Sequence, residues 1–382
     1  MAYSRQMRAA VGMVRTALAG VGLGVQDRRF TRHGEHDPLP DAPLVLVACS
    51  GGRDSMALAA VARIVCASLG VRCGAVIVDH GLQEGSADVA GCTARLCGSL
   101  GLAPVLVRTV QVRRDGAGME SAARDARYRA LAAAALECGA AAVLLAHTRD
   151  DQAETVLLGL LRSGGVDAIA GMPPAFRRDG MVFVRPFLDL SREDTTAICR
   201  QSDLTWWDDP TNGEDAEGEL DGRYPLRSRI RHDLMPALTR FARADVAAVL
   251  ARGARTAQYD KAYLDAETER ALADVARFAE GESTPALSFD AAGLDALHPA
   301  IRRRVIAHGL AAVGIAGNQR QIESIERLAT DWHGQGAVNL PGGYSAKRQK
   351  HVIRLCQDGM HDNRGCSGPD RPRAGQQGSD RQ

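Results

Sequence analysis

A glycine-rich turn lies where a short apolar run gives way to a helical pattern, and it carries the clearest chemical signal in the chain. It consists of Ser50, Gly51, Gly52, Arg53, Asp54 and Ser55. The two glycines let backbone N–H groups approach phosphate oxygens, and the N-terminus of the next helix attracts anions. A turn that only caps the helix is the plainer interpretation, but the flanking strand and helix favour a phosphate-binding loop. The Gly-Lys-Ser/Thr ending of a Walker A loop is missing, which disfavours ordinary γ-phosphate cleavage.

Two later strand ends carry further polar groups. Asp79 and His80 end the second apolar run, beside the glycine-rich turn, where they either contact a nucleotide or cap a turn. Asp151 and Glu154 follow the fourth run and share one helix face because they are three residues apart. Carboxylates clustered in a cleft need cationic compensation, which magnesium or the ammonium group of a substrate would supply.

Arginines are grouped in two places where they could meet phosphates. Arg124 and Arg127 lie on one predicted helix, and Arg227 and Arg231 belong to a second basic stretch. Guanidinium forks suit phosphate oxygens. A solvated basic face is the alternative at both places, because sequence spacing does not establish a continuous patch.

Short apolar runs alternate with Ala-rich helical stretches from residue 44 onward, which is typical of βαβ units that build a parallel sheet. The predicted strands are 44–49, 73–79, 104–110 and 141–147, and the predicted helices are 53–70, 86–101, 120–139 and 150–162. We therefore predict an α/β fold with a doubly wound parallel sheet and ligands at the carboxyl ends of its strands. A helical linker and a small, mainly helical second domain follow, in which residues 337–355 indicate a β-hairpin.

These patterns divide the chain into four parts. They are an N-terminal amphipathic helix with a flexible linker (1–42), the nucleotide-binding catalytic domain (43–232), the helical linker with the small domain (233–357) and a disordered tail (358–382).

The composition excludes several classes of protein. With 45% hydrophobic and 24% charged residues, the chain is an ordinary globular protein, and its net charge of +1 does not indicate a partner. Nine cysteines without paired C-x-x-C spacing disfavour a disulfide framework, a zinc ribbon or an iron–sulfur cluster, and favour the reducing cytoplasm. No apolar run approaches the ~20 residues that span a bilayer, so we expect no membrane partner.

The glycine-rich turn resembles the PP-loop of the ATP pyrophosphatase superfamily, which splits ATP between its α and β phosphates. Six segments, read in order, are similar to the N-terminal domain of tRNA(Ile)-lysidine synthetases, over residues 44 to about 240. They are SGGRDS, VDHGL, ARDARYRAL, AHTRDDQAETVLLGLLR, RPFLDLSRE and DDPTN. That family joins lysine to the wobble cytidine of a CAU-anticodon isoleucine tRNA, through an adenylated base whose AMP the lysine ε-amine displaces.

The resemblance implies a role for each candidate residue. The ATP-binding set would be Ser50, Gly51, Gly52, Arg53, Asp54, Ser55, Asp79 and His80, with Asp54 also binding magnesium. Asp151 and Glu154 would bind lysine and would form the catalytic set together with Asp54. Contacts to tRNA or phosphate would come from Arg124, Arg127, Arg227 and Arg231, and the small domain would bind tRNA. The expected cofactors are ATP and Mg²⁺, and the expected partners are tRNA(Ile) with the CAU anticodon and free L-lysine; a homodimer is one option for the oligomeric state.

The chain departs from the family pattern at two positions, and rival functions exist. Ser228 stands where an Arg-Asn-x-Ile-Arg motif has asparagine, and Thr148 stands where many relatives have a second histidine after His147. A tRNA thiolase is the nearest alternative, but such enzymes generally use cysteine pairs. An amidotransferase-type synthetase would need a glutamine-hydrolysing domain, which the sequence does not indicate. A non-catalytic ATP-binding module does not explain the run of acidic residues.

Overall fold

The computed structural model describes most of the chain, in two compact units, Met1–Lys261 and Ala262–Gln382. The residues described are 3–31, 37–81, 85–110, 119–209, 216, 218–279 and 286–357. The predicted tail at 358–382 lies outside them, as do Leu82 and residues 210–212 of two quoted segments. None of the described helices is both long and apolar enough to cross a membrane.

A six-stranded sheet forms the centre of the first unit. Its strands are β1 (Leu44–Ala48), β2 (Arg72–Asp79), β3 (Val105–Thr109), β4 (Ala140–Leu144), β5 (Ala175–Arg178) and β6 (Met181–Val184). They lie in the order β3-β2-β1-β4-β6-β5, and every neighbouring pair is parallel except β5–β6. The four predicted strands are present, whereas the β5–β6 hairpin was not predicted. Because β2 and β3 lie on one side of β1 and β4 lies on the other, the strand order reverses between β1 and β4, where such sheets bind ligands.

Helices cover both faces of this sheet. They are α1 (Arg5–Ala19), α2 (Arg53–Leu69), α3 (Ser86–Ser99), α4 (Met119–Glu137), α5 (Arg149–Arg162), α6 (Val166–Ile169) and α7 (Arg192–Gln201). Val45 and Val47 of β1 belong to an apolar core shared with α1, α2, α3 and α7. Leu44 and Leu46 point the other way, into a core shared with α4. Burial on both faces is why β1 reads as a continuous apolar run.

The N-terminal helix is part of the first core. Met7, Val14 and Leu18 are buried along one side of α1, and each contributes about 1.5–3 kcal/mol by leaving water. Phe30, in a short 3₁₀ turn, is also buried. A Cβ at Gly70 would lie 2.3 Å from the Phe30 ring, so glycine is needed where the ring crosses the end of α2.

One uninterrupted helical segment begins at Leu226, later in the chain than α7. It consists of α8 (Leu226–Arg229), a π-helical turn (Ile230–Leu234) and α9 (Met235–Ala242). The long α10 (Val246–Val275) follows, and the division between the two units falls within it. π-Helical turns occur frequently at functional sites.

In its described residues, the second unit combines the end of α10 and three shorter helices with a five-stranded antiparallel sheet. The shorter helices are α11 (Ala291–Ala296), α12 (Pro299–Ala312) and α13 (Gln319–Thr330). The strands are β7 (Ala276–Ala279), β8 (Ala286–Asp290), β9 (Val338–Leu340), β10 (Tyr344–Gln349) and β11 (Val352–Gln357), in the order β7-β8-β11-β10-β9. The hairpin predicted within 337–355 is confirmed by the pairing of β9 with β10. Strands β7 and β8 were not predicted.

Candidate active site

The glycine-rich turn connects β1 to α2 at the point where the strand order reverses. Gly52 is the N-cap of α2, and no side chain caps this helix, so its first-turn N–H groups are open to an anion. Gly51 has a φ of 85°, and a Cβ there would lie 2.4 Å from Thr93 Oγ1, so the position requires glycine. The Ser55 hydroxyl accepts a hydrogen bond from the Ser50 N–H (3.2 Å) and donates to the Gly52 carbonyl (2.9 Å), which holds the turn in shape.

A segment following α7 packs against the same turn. The Trp207 N–H donates to the Gly51 carbonyl at 2.9 Å, and Asp208 pairs with the Arg53 guanidinium at 2.9 Å. The Arg53 side chain is therefore held by a carboxylate in the free chain.

Three carboxylates converge beside the turn. Asp54 lies in the first turn of α2, and Asp151 and Glu154 lie near the start of α5, which follows β4. Only 8% of Asp151 and 1% of Glu154 is exposed. Thr148 caps α5 in a reciprocal capping box, and its N–H donates to Asp151 Oδ2 at 2.8 Å. This contact fixes the Asp151 carboxylate and leaves Oδ1 for other partners.

Arg192, the first residue of α7, joins these carboxylates. Its guanidinium lies 3.6 Å from Asp54 and 3.2 Å from Asp151. Glu154 is 3.8 Å away, and the Arg192 N–H donates to Asp150 at 2.8 Å. Because Asp54 follows β1 and Asp151 follows β4, Arg192 connects the two strand ends between which the sheet reverses.

Two further arginines come from the α8–π segment. Arg231 donates two hydrogen bonds to Glu154, at 2.7 and 3.0 Å, and also reaches Asp151 at 3.4 Å. Arg227 lies 3.9 Å from Glu154 and donates to the Thr155 hydroxyl at 2.9 Å. Two arginines predicted to contact tRNA or phosphate thus lie on the two carboxylates predicted to bind lysine.

Burial raises the pKa values of the three carboxylates, and the neighbouring arginines lower them. Burial raises the pKa of Asp54 to about 6 in spite of Arg192. Burial also raises the pKa of Glu154 above its ordinary value, against the hydrogen bonds from Arg231. At Asp151 burial acts in the same sense but is outweighed, chiefly by Arg192, and the pKa falls to about 2. Asp151 is therefore the firmly ionised carboxylate, and Glu154 is the more basic one.

Asp79 and His80 lie at the end of β2. Asp79 is buried, and its carboxylate accepts a hydrogen bond from the Gly81 N–H at 2.9 Å, as expected for a residue that caps a turn. His80 Nδ1 is buried and has no hydrogen-bond partner among the described residues. Burial lowers the pKa of His80, so the ring offers a neutral nitrogen.

A second polar group surrounds the end of β4. Burial lowers the pKa of His147 to about 3, and its Nδ1 accepts from Arg185 Nε at 3.2 Å. Arg124 and Arg127 lie 5.2 and 5.7 Å from the centroid of the Tyr128 ring. These two arginines therefore contact Tyr128 and are not joined to the carboxylate cluster.

Arg192 and Arg185 are functional candidates that were not predicted from the sequence. Both lie in the segment RPFLDLSRE. Arg185 directly follows β6, and Arg192 is the first residue of α7. A strand end next to a helix start was the same signal that singled out the glycine-rich turn, and it would have indicated these two arginines.

A glycine-rich loop at the reversal point of a doubly wound sheet, followed by an uncapped helix with an aspartate in its first turn, defines a PP-loop nucleotide-binding domain. Residues 27–238 match the family model of the PP-loop domain, and residues 289–354 match that of the TilS substrate binding domain. The chain belongs to the tRNA(Ile)-lysidine synthase family, and it is an ATP-dependent ligase.

Two curated relatives illustrate the likeness. The tRNA(Ile)-lysidine synthase of Bifidobacterium longum subsp. infantis is 56% identical over 388 residues, which cover 95% of this chain and 100% of that protein. The enzyme of the same name from Streptomyces coelicolor is 47% identical over 321 residues, covering 83% and 86%. Among solved structures, the U34-tRNA thiolase NcsA of Methanococcus maripaludis matches 66% of this chain and 80% of its own, with a TM-score of 0.48 and 15% identity.

Proposed function

We propose that this chain joins L-lysine to the wobble cytidine of tRNA(Ile) with the CAU anticodon, forming lysidine and converting ATP to AMP and pyrophosphate. The observation that supports this most is the convergence of the uncapped N-terminus of α2 with Asp54, Asp151 and Glu154. The helix terminus suits phosphates, and the carboxylates suit an amine. A reaction that adenylates a base and then adds an amine needs both groups side by side.

In the first step, the 2-carbonyl oxygen of cytidine attacks the α-phosphorus, and the bond to the bridging oxygen breaks as pyrophosphate leaves. Backbone N–H groups of residues 50–55 would bind the phosphates. Asp79 and His80 would contact the nucleotide, since His80 Nδ1 is buried without a partner among the described residues.

Asp54 is the residue that would hold Mg²⁺. Because burial raises its pKa to about 6, a neighbouring cation would relieve an unfavourable charge. Within the described chain no three His, Cys, Asp or Glu side chains are grouped to hold a metal; Mg²⁺ commonly takes one or two carboxylates and completes its shell with phosphates and water. The ion would neutralise charge on the departing pyrophosphate.

In the second step, the lysine ε-amine attacks C2 of the adenylated cytidine, a C–N bond forms, and the C–O bond to AMP breaks. Asp151 suits the binding of the ammonium group because its pKa of about 2 keeps it charged. Glu154 suits acceptance of the proton because its pKa is raised. Both carboxylates contact Arg231 in the free chain, so lysine binding requires Arg231 to share or release them.

The arginines and the second unit are assigned to the RNA. Arg124, Arg127, Arg227 and Arg231 would contact tRNA or phosphate groups, since guanidinium forks match phosphate oxygens. We further propose that residues 43–232 form the catalytic domain and that 233–357 contain the helical linker and a small tRNA-binding domain. The homodimer is retained as a proposal, which sedimentation of the full chain tests.

The decisive experiment supplies the full chain with ATP, Mg²⁺, radiolabelled lysine and unmodified CAU-anticodon tRNA(Ile). We expect the label to enter the tRNA with one AMP released per lysine, and no transfer to the same tRNA with a GAU anticodon. Sulfur transfer without lysine incorporation would instead identify a thiolase. Binding of ATP without AMP release under every substrate combination would identify a binding module.

Two substitutions test the division of roles. Asp54→Ala should abolish pyrophosphate release, whereas Glu154→Ala should raise the KM for lysine more than it weakens ATP binding. Asp88→Ala, which removes an exposed carboxylate from the first turn of α3, is the matched control and should leave both unchanged. Equal losses of ATP binding at Asp54 and Glu154 would contradict the assignment.

A further inference from the structure

The end of α9 presents an aromatic ring to solvent. Phe241 is 90% exposed, and none of the residues of α9 is buried. The helix has no acidic residue. A single exposed aromatic side chain is ordinary on a protein surface. Phe241 differs from such a residue because arginines lie close to it in the chain.

The stretch of chain around Phe241 is rich in arginine. Between Arg223 and Arg255 the sequence has eight arginines and two aspartates, although Arg223 pairs with Asp221 and Arg255 pairs with Asp189. Arg240 and Arg243 flank Phe241 and are exposed, as is Arg252 on α10. Within the described part of the chain, none of these three side chains forms an ion pair or hydrogen bond. In contrast, Arg227 and Arg231 are engaged by the carboxylate cluster.

This surface is physically continuous with the candidate active site. Residues 226–242 form one uninterrupted helical segment, with Arg231 on Glu154 and Phe241 ten residues further along. At 1.5 Å per residue, the two are separated by about 15 Å along the axis. An RNA chain with one base in the carboxylate cluster therefore has its flanking nucleotides within reach of Phe241.

We propose that the end of α9 is a docking surface for the RNA substrate, in which Phe241 stacks on an unpaired base and Arg240 and Arg243 contact the neighbouring phosphates. The inference rests on the proposed function, because it takes the substrate to be an RNA with a single-stranded loop. It adds a contact site distinct from the residues that bind ATP and lysine.

Charge and chemistry favour RNA over a protein partner. Single-stranded RNA is recognised by stacking of unstacked bases on aromatic rings, with cations tracking the backbone. A ring flanked by two unpaired arginines matches this pattern. A symmetric dimer would bring the same patch of both copies together, so that like charges face each other. The unpaired charges of Arg240 and Arg243 therefore disfavour self-association through this face.

The test measures binding of full-length protein to unmodified CAU-anticodon tRNA(Ile) over a series of salt concentrations. Phe241→Ala should weaken binding about 5- to 150-fold with an unchanged salt dependence, since a stacked base is worth about 1–3 kcal/mol. The double variant Arg240→Gln/Arg243→Gln should lower the slope of log K against log salt by about 1 per arginine. The matched controls are Tyr3→Ala, a half-exposed aromatic, and Arg5→Gln, an exposed arginine, both at the N-terminus. ATP binding should not change in any variant.

The outcomes separate this inference from the proposed function. If wild type transfers lysine to the tRNA but Phe241→Ala binds it as tightly as wild type, the docking surface is refuted and the ligase stands. If Phe241→Ala weakens RNA binding but wild type transfers no lysine, the docking surface stands and the proposed reaction is wrong. If Phe241→Ala instead converts a dimer into monomers without changing RNA affinity, the surface is a contact between copies, and the inference is overturned.

Discussion

The ion pair between Arg231 and Glu154 allows a quantitative test of how the carboxylate cluster is held. Arg231→Gln leaves Glu154, which is 1% exposed, without the guanidinium that donates two hydrogen bonds to it. Removing one partner of a buried ion pair costs about 3–5 kcal/mol because the other charge is stranded. Arg192 at 3.8 Å and Arg227 at 3.9 Å remain, so we expect the lower end, ~3 kcal/mol.

Substitution of the other partner, Glu154, should change the free energy of unfolding less. Burial raises the pKa of Glu154 even with Arg231 in place, so its ionised form is disfavoured in the folded chain. Glu154→Gln removes that charge and keeps an acceptor for Arg231, and it should cost no more than ~1 kcal/mol. The double variant should then be more stable than the sum of the single effects predicts, with a coupling energy of about 2 kcal/mol.

Urea unfolding followed by fluorescence checks these values. A carboxyl group whose pKa is higher in the folded state carries no penalty below its unfolded pKa, and the penalty grows as pH rises through the folded pKa. The folded pKa of Glu154 rises further when Arg231 is lost, so the cost of Arg231→Gln should be largest at pH 7.5 and shrink toward pH 5. Arg223→Gln, which breaks an exposed pair with Asp221, is the control and should leave the free energy of unfolding unchanged within error. A cost below 1 kcal/mol at pH 7.5 for Arg231→Gln, or a coupling energy near zero, would refute the reasoning.

Three further substitutions probe the elements that position the site. Gly51→Ala should destabilise the chain by ~2 kcal/mol and weaken ATP binding, measured by calorimetry, because its φ is 85° and a Cβ would meet Thr93 at 2.4 Å; Gly222→Ala, with open space around it, is the control. Arg192→Lys should abolish pyrophosphate release while Arg5→Lys does not, because an ammonium cannot span carboxylates on α2 and α5. Thr148→Ala should cost ~1–2 kcal/mol in urea unfolding by removing the cap of α5, whereas Thr148→Ser should cost far less; equal costs would contradict the capping role.

Much of the first unit's fold could be predicted because its central strands are largely buried. β1, β2 and β4 carry buried apolar runs, and the half-exposed edge strand β3 is still marked by Val105, Leu106 and Val107; each is followed by a long helical pattern. β5 and β6 have four residues each, too few for a periodic signal. The turn between them is Asp179-Gly180, both with positive φ, and this Asp-Gly pair is the one local hairpin signal in the segment. β7 follows α10 without a break, so no turn residue marked its start.

Part of the site could also be predicted from local sequence, whereas the rest depends on contacts between residues that are far apart in the chain. The glycine-rich turn and the carboxylates could be found because each directly follows an apolar strand. The pairing of these carboxylates with arginines could not be predicted, because Arg192 is 41 residues and Arg231 is 80 residues from Asp151. The sequence indicates Arg231 by its charge, but only the structure shows that its guanidinium forms an ion pair with Glu154. Its assignment to tRNA or phosphate stays a prediction.

The cluster of three carboxylates and three arginines is better explained by chemistry than by stability. A buried ion pair seldom repays the desolvation of its charges, and apolar residues of similar volume are often as stable or more so. The raised pKa values of Asp54 and Glu154 show that burial is only partly compensated here. The apolar cores on the two faces of the sheet already hold the unit together without these groups. Carboxylates with shifted pKa values at the reversal point of a doubly wound sheet are instead typical of groups that hold and move charge during a reaction. The raised pKa of Glu154 is therefore an argument that the chemistry of the site, and not the fold, requires this residue.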